Sequence, residues 1–163
     1  MSPIIKGRQT AEIEGSFVVF IIGVRINKWL AVHRWLPVMQ SMGPMLSELY
    51  ANKDLGFLDA SYFISGRGLS IVQYWRSYEQ LEQYARGGAK HLQAWQDFNR
   101  KARAGEAVGI YHETYAVEAG AYESIYINMP PSGLGKAGRL KPVSAGRETS
   151  RERMTTDKSD HSS

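Results

Sequence analysis

The chain has 163 residues, with 20 Lys and Arg against 16 Asp and Glu for a net charge of +4, and 43% of its residues are hydrophobic. That is one domain's worth of chain, long enough to bury well over half of its unfolded surface without a metal or disulfide staple. It has no cysteine, which excludes a disulfide framework, a thiol nucleophile and any Cys-ligated zinc or iron–sulfur centre.

Seven of the basic residues and four of the acidic ones fall in residues 131–163, so 1–130 is nearly neutral. A nucleic-acid-binding domain concentrates basic residues on its folded surface; here the excess sits in a tail, which argues against a nucleic-acid partner. The longest apolar run, Phe17 to Val24, is far short of the ~20 residues that cross a bilayer and lacks the flanks of a signal peptide. No membrane partner is expected, and the cytoplasm is the expected compartment. All 18 aromatic residues precede position 131, so by composition the foldable unit is 16–130, with polar ends that bury too little to order themselves.

In chain order, residues 17–27 (FVVFIIGVRIN) are β-branched and aromatic and apolar at odd and even positions alike, as in a strand buried on both faces. The odd face ends in Gly23, Arg25 and Asn27 and turns polar. Residues 29–50 carry helical apolar spacing, which Pro37 and Gly43-Pro44 should divide into two pieces. Residues 57–65 and 69–76 alternate with period two about Gly66-Arg67-Gly68, a tight hairpin turn.

Ser77 followed by Gln80 resembles a capping box that opens a helix through Leu81 and Tyr84. Gly87-Gly88 interrupts it, and a second helix runs from about Ala89 to Ala104 with His91, Trp95, Phe98 and Ala102 on one face. Residues 109–117 and 122–128 read as two more strands. The order β, broken α, β-hairpin, broken α, β, β is α+β: a ferredoxin-like split βαβ unit with an added C-terminal strand. Such a sheet carries helices on one face only, so a homodimer with sheets face to face is the economical cover for the other.

The polar residues at strand ends form one candidate set: Arg25, Asn27, Tyr74, Trp75, Arg76, His112, Glu113 and Tyr115. Strand alternation points His112 away from Glu113 and Tyr115, so His112 and Glu113 cannot share a cavity. His112 suits a general base near neutral pH; the plain structural alternative is a half-buried histidine held by a backbone carbonyl. Glu113 suits an ion pair with a helix or a second subunit. Arg25 suits an anionic ligand or such a carboxylate. His91, with Trp95 and Phe98 beside it, could be the axial ligand of a haem, or it simply packs. A literal G-x-G-x-x-G at Gly133, Gly135 and Gly138 follows Pro130-Pro131 with no βαβ unit after it, so it is discarded as a nucleotide motif. No Walker A, G-x-S-x-G or H-E-x-x-H string occurs, and no metal is expected.

Taken together, residues 17–27, 73–79 (QYWRSYE), His91 with Trp95 and Phe98-Asn99, 109–115 (GIYHETY) and 120–130 (GAYESIYINMP) resemble the uncharacterised monooxygenase-like family of the dimeric α+β barrel superfamily. The antibiotic-biosynthesis monooxygenases belong to the same superfamily. The resemblance spans roughly residues 16–138. It implies a dimeric α+β barrel domain 16–138 in which residues 133–135 pack on the barrel; by composition 1–15 is a flexible segment and what remains, 139–163, a disordered basic tail.

It also implies a pocket between sheet and helices in each subunit of a homodimer. The activity implied is a monooxygenase of secondary or xenobiotic metabolism, oxidising a bulky apolar or aromatic small molecule with molecular oxygen and without a cofactor. In that reading His112, Arg25 and Asn27 are catalytic: His112 accepts a substrate proton, and Arg25 and Asn27 stabilise the resulting anion or bound oxygen. Trp75, Tyr115, Arg76, Trp95 and His91 bind substrate. The alternatives are a haem-binding oxygenase or aldoxime-dehydratase-like lyase with His91 as the cofactor ligand, and a dimer that binds a small molecule without reacting.

Overall fold

The computed structural model describes residues 2–86 and 93–156. Its strands are β1 (Ile5–Glu12), β2 (Phe17–Ile26), β3 (Phe57–Ser65), β4 (Gly68–Trp75), β5 (Val108–Val117), β6 (Tyr126–Met129) and β7 (Arg139–Pro142). Its helices are α1 (Val32–Ala51), α2 (Tyr78–Ala85), α3 (Gln93–Ala102), α4 (Leu134–Ala137) and α5 (Ser150–Thr156).

The main sheet has the order β3-β4-β2-β5 with every neighbour antiparallel. With α1 after the first of these strands and α2 and α3 after the third, it is the ferredoxin-like unit expected. Strand β2 is central. Its even residues Val18, Phe20, Ile22 and Val24 pack on Val38, Met42, Met45, Leu46 and Leu49 of α1 and on Leu81, Tyr84 and Phe98 of α2 and α3. The β3–β4 hairpin pairs Ser65 with Gly68 around Gly66-Arg67. Gly66 takes a φ of +48°, which a residue with a Cβ adopts at a cost. Ser77 accepts a hydrogen bond from Gln80 N at 3.2 Å and caps α2.

Four expectations are corrected. Residues 29–50 do not divide: α1 is one helix with Pro37 and Pro44 inside it. The carbonyls that these prolines leave without a donor belong to His33 and Gln40, both exposed residues, so solvent rather than the core faces the gap.

Residues 1–15 are not merely a flexible segment, because Ile5–Glu12 is a strand. Its buried residues are Gln9, Thr10 and Ala11, too polar for hydrophobic periodicity to reveal.

The strand expected at 122–128 is shortened to Tyr126–Met129, and it joins β1 in a second, three-stranded sheet of order β6-β1-β7 rather than extending the first. Residues 122–125 reach β1 through side chains instead. Ile13 N donates to the Tyr122 hydroxyl at 2.9 Å, and Ala11 N to Ser124 Oγ at 2.9 Å.

The segment after 139 is not simply a disordered tail. Arg139–Pro142 pairs with β1, and Arg153 of α5 is buried, donating to Glu123 Oε1 at 2.7 Å and to the Glu148 carbonyl at 2.8 Å.

The second sheet covers one end of the main sheet's helix-free face, where Ala11, Ile13 and Leu134 pack with Phe17, Val19 and Tyr74. Leu134 is buried as the resemblance implied. The far end of that face stays open at Phe63 and Tyr111, about half exposed, and so does its β5 edge at Tyr115, opposite Val19.

Candidate functional site

Strand β5 is an edge strand of the main sheet, and its pairing with β2 places His112 opposite Ile22. Ile22 faces the helices, so His112 does too. There a cavity of about 480 Å³ opens between β5, the C-terminal end of α2 and one face of α3. Its apolar wall is Ile22, Ile110 and Ala85. The rest is polar: His112, Arg86, Gln96, Asn99 and Arg103. Among the described residues no carboxylate lines it.

The His112 ring lies 5.7 Å from that of Phe20, tilted by 38°. Among the described residues no backbone carbonyl holds its nitrogens, so the plain structural role weighed for it is not realised there. Arg86 is paired with Glu82, one turn back on α2, at 2.7 Å. Arg103 has an exposed side chain just beyond α3.

The other residues of the expected set lie elsewhere. Arg25 projects from the opposite face of β2, where its Nη1 donates to Asn27 Oδ1 at 2.6 Å. Asn27 Nδ2 in turn donates to the Glu106 carbonyl at 3.2 Å. The physical reason is period two: Arg25 is an odd residue of a strand whose even residues face the His112 cavity. The protomer therefore does not bring Arg25 and Asn27 to His112.

Tyr115 and Glu113 lie on that opposite face too, with the Tyr115 hydroxyl donating to Glu113 Oε2 at 2.8 Å. That bond pushes the Tyr115 phenol above its ordinary pKa. Trp75 is fully buried, packed between Phe57 and Tyr84 with its indole N–H on Gln73 Oε1 at 2.9 Å; it is a core residue. Arg76 donates to the Ser16 carbonyl and lines a separate cleft of about 210 Å³ with Phe17, Tyr78 and Val117.

His91 and the Trp95 side chain lie outside the described residues, and with them the ligand of the haem alternative. Among the described residues no group of three or more His, Asp or Glu could hold a metal ion, and no helix is long and apolar enough to cross a membrane.

Arg86, Gln96, Asn99 and Arg103 escaped the sequence reading. A signal existed: positions 96, 99 and 103 follow the i, i+3, i+7 spacing of one helix face, beside the apolar face that carries Phe98 and Ala102.

A second polar cluster ties α4 to the main sheet. The Tyr50 hydroxyl donates to Asp59 Oδ1 at 2.8 Å, and Lys136 Nζ lies 3.2 Å from the same oxygen. Burial, with the Asp59 carboxylate next in weight, pushes the Tyr50 phenol up to about 12.

A family model described as "Monooxygenase af470-like" matches residues 17–134. The chain is 30% identical to monooxygenase af470 of Aspergillus fumigatus over an alignment that covers 86% of this chain and 57% of that protein. It is 33% identical over 94 residues to an aliphatic aldoxime dehydratase of Pseudomonas chlororaphis, covering 56% of this chain and 24% of the relative. The chain thus spans little more than half the length of the first relative and about a quarter of the second. Among solved structures, the aldoxime dehydratase OxdRE in complex with butyraldoxime superposes with a TM-score of 0.58 at 20% identity, over 80% of this chain and 40% of that one. That likeness is one of fold.

Proposed function

The chain belongs to the Monooxygenase af470-like family, and from that premise we propose that it oxidises an electron-rich apolar or aromatic small molecule with molecular oxygen in the His112 cavity, without a cofactor. The observation that carries this reading is His112 itself, lining a cavity that also combines the apolar Ile22, Ile110 and Ala85 with the basic Arg86 and Arg103. A proton acceptor beside a cationic surface favours the deprotonated, oxygen-reactive form of a substrate.

His112 takes the substrate proton. The resulting carbanion or phenolate gives its electrons to dioxygen, a carbon–oxygen bond forms, and the hydroperoxide loses water to leave a carbonyl. With 1-naphthol as substrate, dioxygen is converted to the new carbonyl of 1,4-naphthoquinone and one water, and no external reductant is consumed. Oxygen uptake with 1-naphthol, compared between the wild type and His112→Gln, tests the role of the base. The expected loss in the variant is about 100-fold or more, the range of a general base; an unchanged rate removes His112 from the chemistry. Binding without uptake by the wild type would leave a non-catalytic binder.

A second reading, a haem-dependent oxygenase or lyase acting on an aldoxime, draws on the likeness to the aldoxime dehydratases. Haem titration separates the two readings. A Soret band at one haem per chain that His91→Ala abolishes favours the second, and no band favours the first.

The open end of the helix-free face supports a homodimer. Phe63 and Tyr111 expose about half their surface there and Tyr115 does so at the β5 edge, at 54%, 48% and 51%, around the half-buried Ile21 and Val72. A second copy with the same face buries this patch by two-fold symmetry. In such a dimer Arg25 and Glu113, which share that face, become interface residues, and sedimentation of Tyr111→Glu as a monomer is the expected outcome.

A further inference from the structure

We infer that the His112 cavity selects substrates bearing a carboxylate, with the acid seated at Arg103 and the carbon skeleton against Ile22 and Ile110. This deepens the reading above and rests on that cavity being the substrate site, but not on the oxygen chemistry.

The asymmetry of the lining carries it. Two arginines, a histidine and two side-chain amides line one cavity, and among the described residues no Asp or Glu lines it. A cationic cleft with no carboxylate among its described lining residues attracts an anion. Of the two guanidiniums, Arg86 is engaged by Glu82 at 2.7 Å. Arg103 has no carboxylate partner among the described residues, and its planar fork matches a carboxylate in two parallel hydrogen bonds. Gln96 and Asn99 precede it on the same face of α3 and add amide groups beside the acid. Ile22, Ile110 and Ala85 add hydrocarbon to the same lining, which favours an amphipathic acid over a small hydrophilic one. The cavity, at about 480 Å³, lies within the range of pockets that hold one small organic molecule.

The test is a pair of isosteric, unreactive probes, 2-naphthoate and 2-naphthamide, titrated calorimetrically into the full-length protein. The carboxylate should bind about 10-fold or more tightly than the amide. Arg103→Gln should reduce that preference to within about 3-fold. Glu82→Gln, which releases Arg86 without touching the cavity wall, should raise carboxylate affinity several-fold; it also guards against a trivial loss of folding in the arginine variant. Equal binding of the two probes, preference for the amide, failure of both to bind at millimolar concentration, or a preference untouched by Arg103→Gln would each overturn the assignment. Carboxylate preference in a protein that consumes no oxygen would leave this assignment standing and remove the oxygenase reading alone.

Discussion

The ring of Tyr111 on β5 lies where a side chain on Gly23 of β2 would be: a Cβ at position 23 would sit 2.5 Å from Tyr111 Cζ. The two residues face each other across the β2–β5 ladder, and the missing Cβ lets the ring lie over the sheet until its hydroxyl reaches Ser70 Oγ on β4 at 3.0 Å. One glycine thus shapes the open face of the main sheet.

Gly23→Ala should therefore lift Tyr111 off the sheet and break its contact with Ser70, costing about 1–3 kcal/mol of stability, as overpacking does. In a Tyr111→Ala background the same substitution should cost almost nothing, because its clash is gone. Urea unfolding of the four proteins in this double-mutant cycle measures the coupling; additive effects would contradict the contact.

Asp59 is buried, yet it accepts from Tyr50 and faces Lys136 of α4. Asp59→Ala removes the nearer acceptor of the Tyr50 hydroxyl and leaves it the longer bond to the Ala60 carbonyl at 3.4 Å, and the expected loss is about 1–2 kcal/mol. Lys136 is half exposed, so Lys136→Ala should cost no more than about 1 kcal/mol. Denaturant midpoints order the two variants.

The same cluster makes stability fall in alkali. An unfolded Tyr50 ionises near 10.0, whereas in the fold it holds its proton to about 12. The unfolded chain therefore releases a proton first, and stability present below pH 10 is lost as pH rises toward 12. Tyr74 and Tyr84, both raised by burial, act in the same direction. Tyr50→Phe should flatten the decline of the urea midpoint between pH 10 and 12.

At the other extreme, Glu12 of β1 is held below its ordinary value, first by its hydrogen bond from Lys141 and then by Arg139 of the same strand, whose Nε donates at 2.6 Å. Its contribution is present above the unfolded pKa near 4.5 and is lost as pH falls through the lower folded value. Glu12→Gln should remove that part of the acid dependence. Hydrogen exchange of the β1–β7 amides at pH 7 should speed up in the variant and stay unchanged across β2–β4.

Much of the main sheet could be read from the chain, because its signals are local. Both-face apolarity marked β2, the Gly66 turn marked the hairpin, and Ser77 with Gln80 marked the start of α2. The second sheet could not be read that way. Strand β1 buries Gln9 and Thr10 rather than hydrophobic residues, and its partners lie more than 110 positions away. The site divides along the same line. Alternation separated His112 from Glu113 and Tyr115 correctly, whereas Arg25 and Asn27 were grouped with His112 although odd and even residues of β2 face opposite ways. The basic wall of the cavity was out of reach because Arg86 and Arg103 come from the ends of separate helices. Only the packing of those helices beside β5 brings the two together.

The most direct test of the proposed oxygenase is a turnover with 1-naphthol under ¹⁸O₂, with mass spectrometry of the quinone and a matched oxygen-electrode trace. The account predicts one dioxygen consumed per quinone, one ¹⁸O atom in each product molecule, and both signals lost together in His112→Gln. A product oxygen drawn from water, or turnover of an aldoxime with no oxygen consumed, would contradict it.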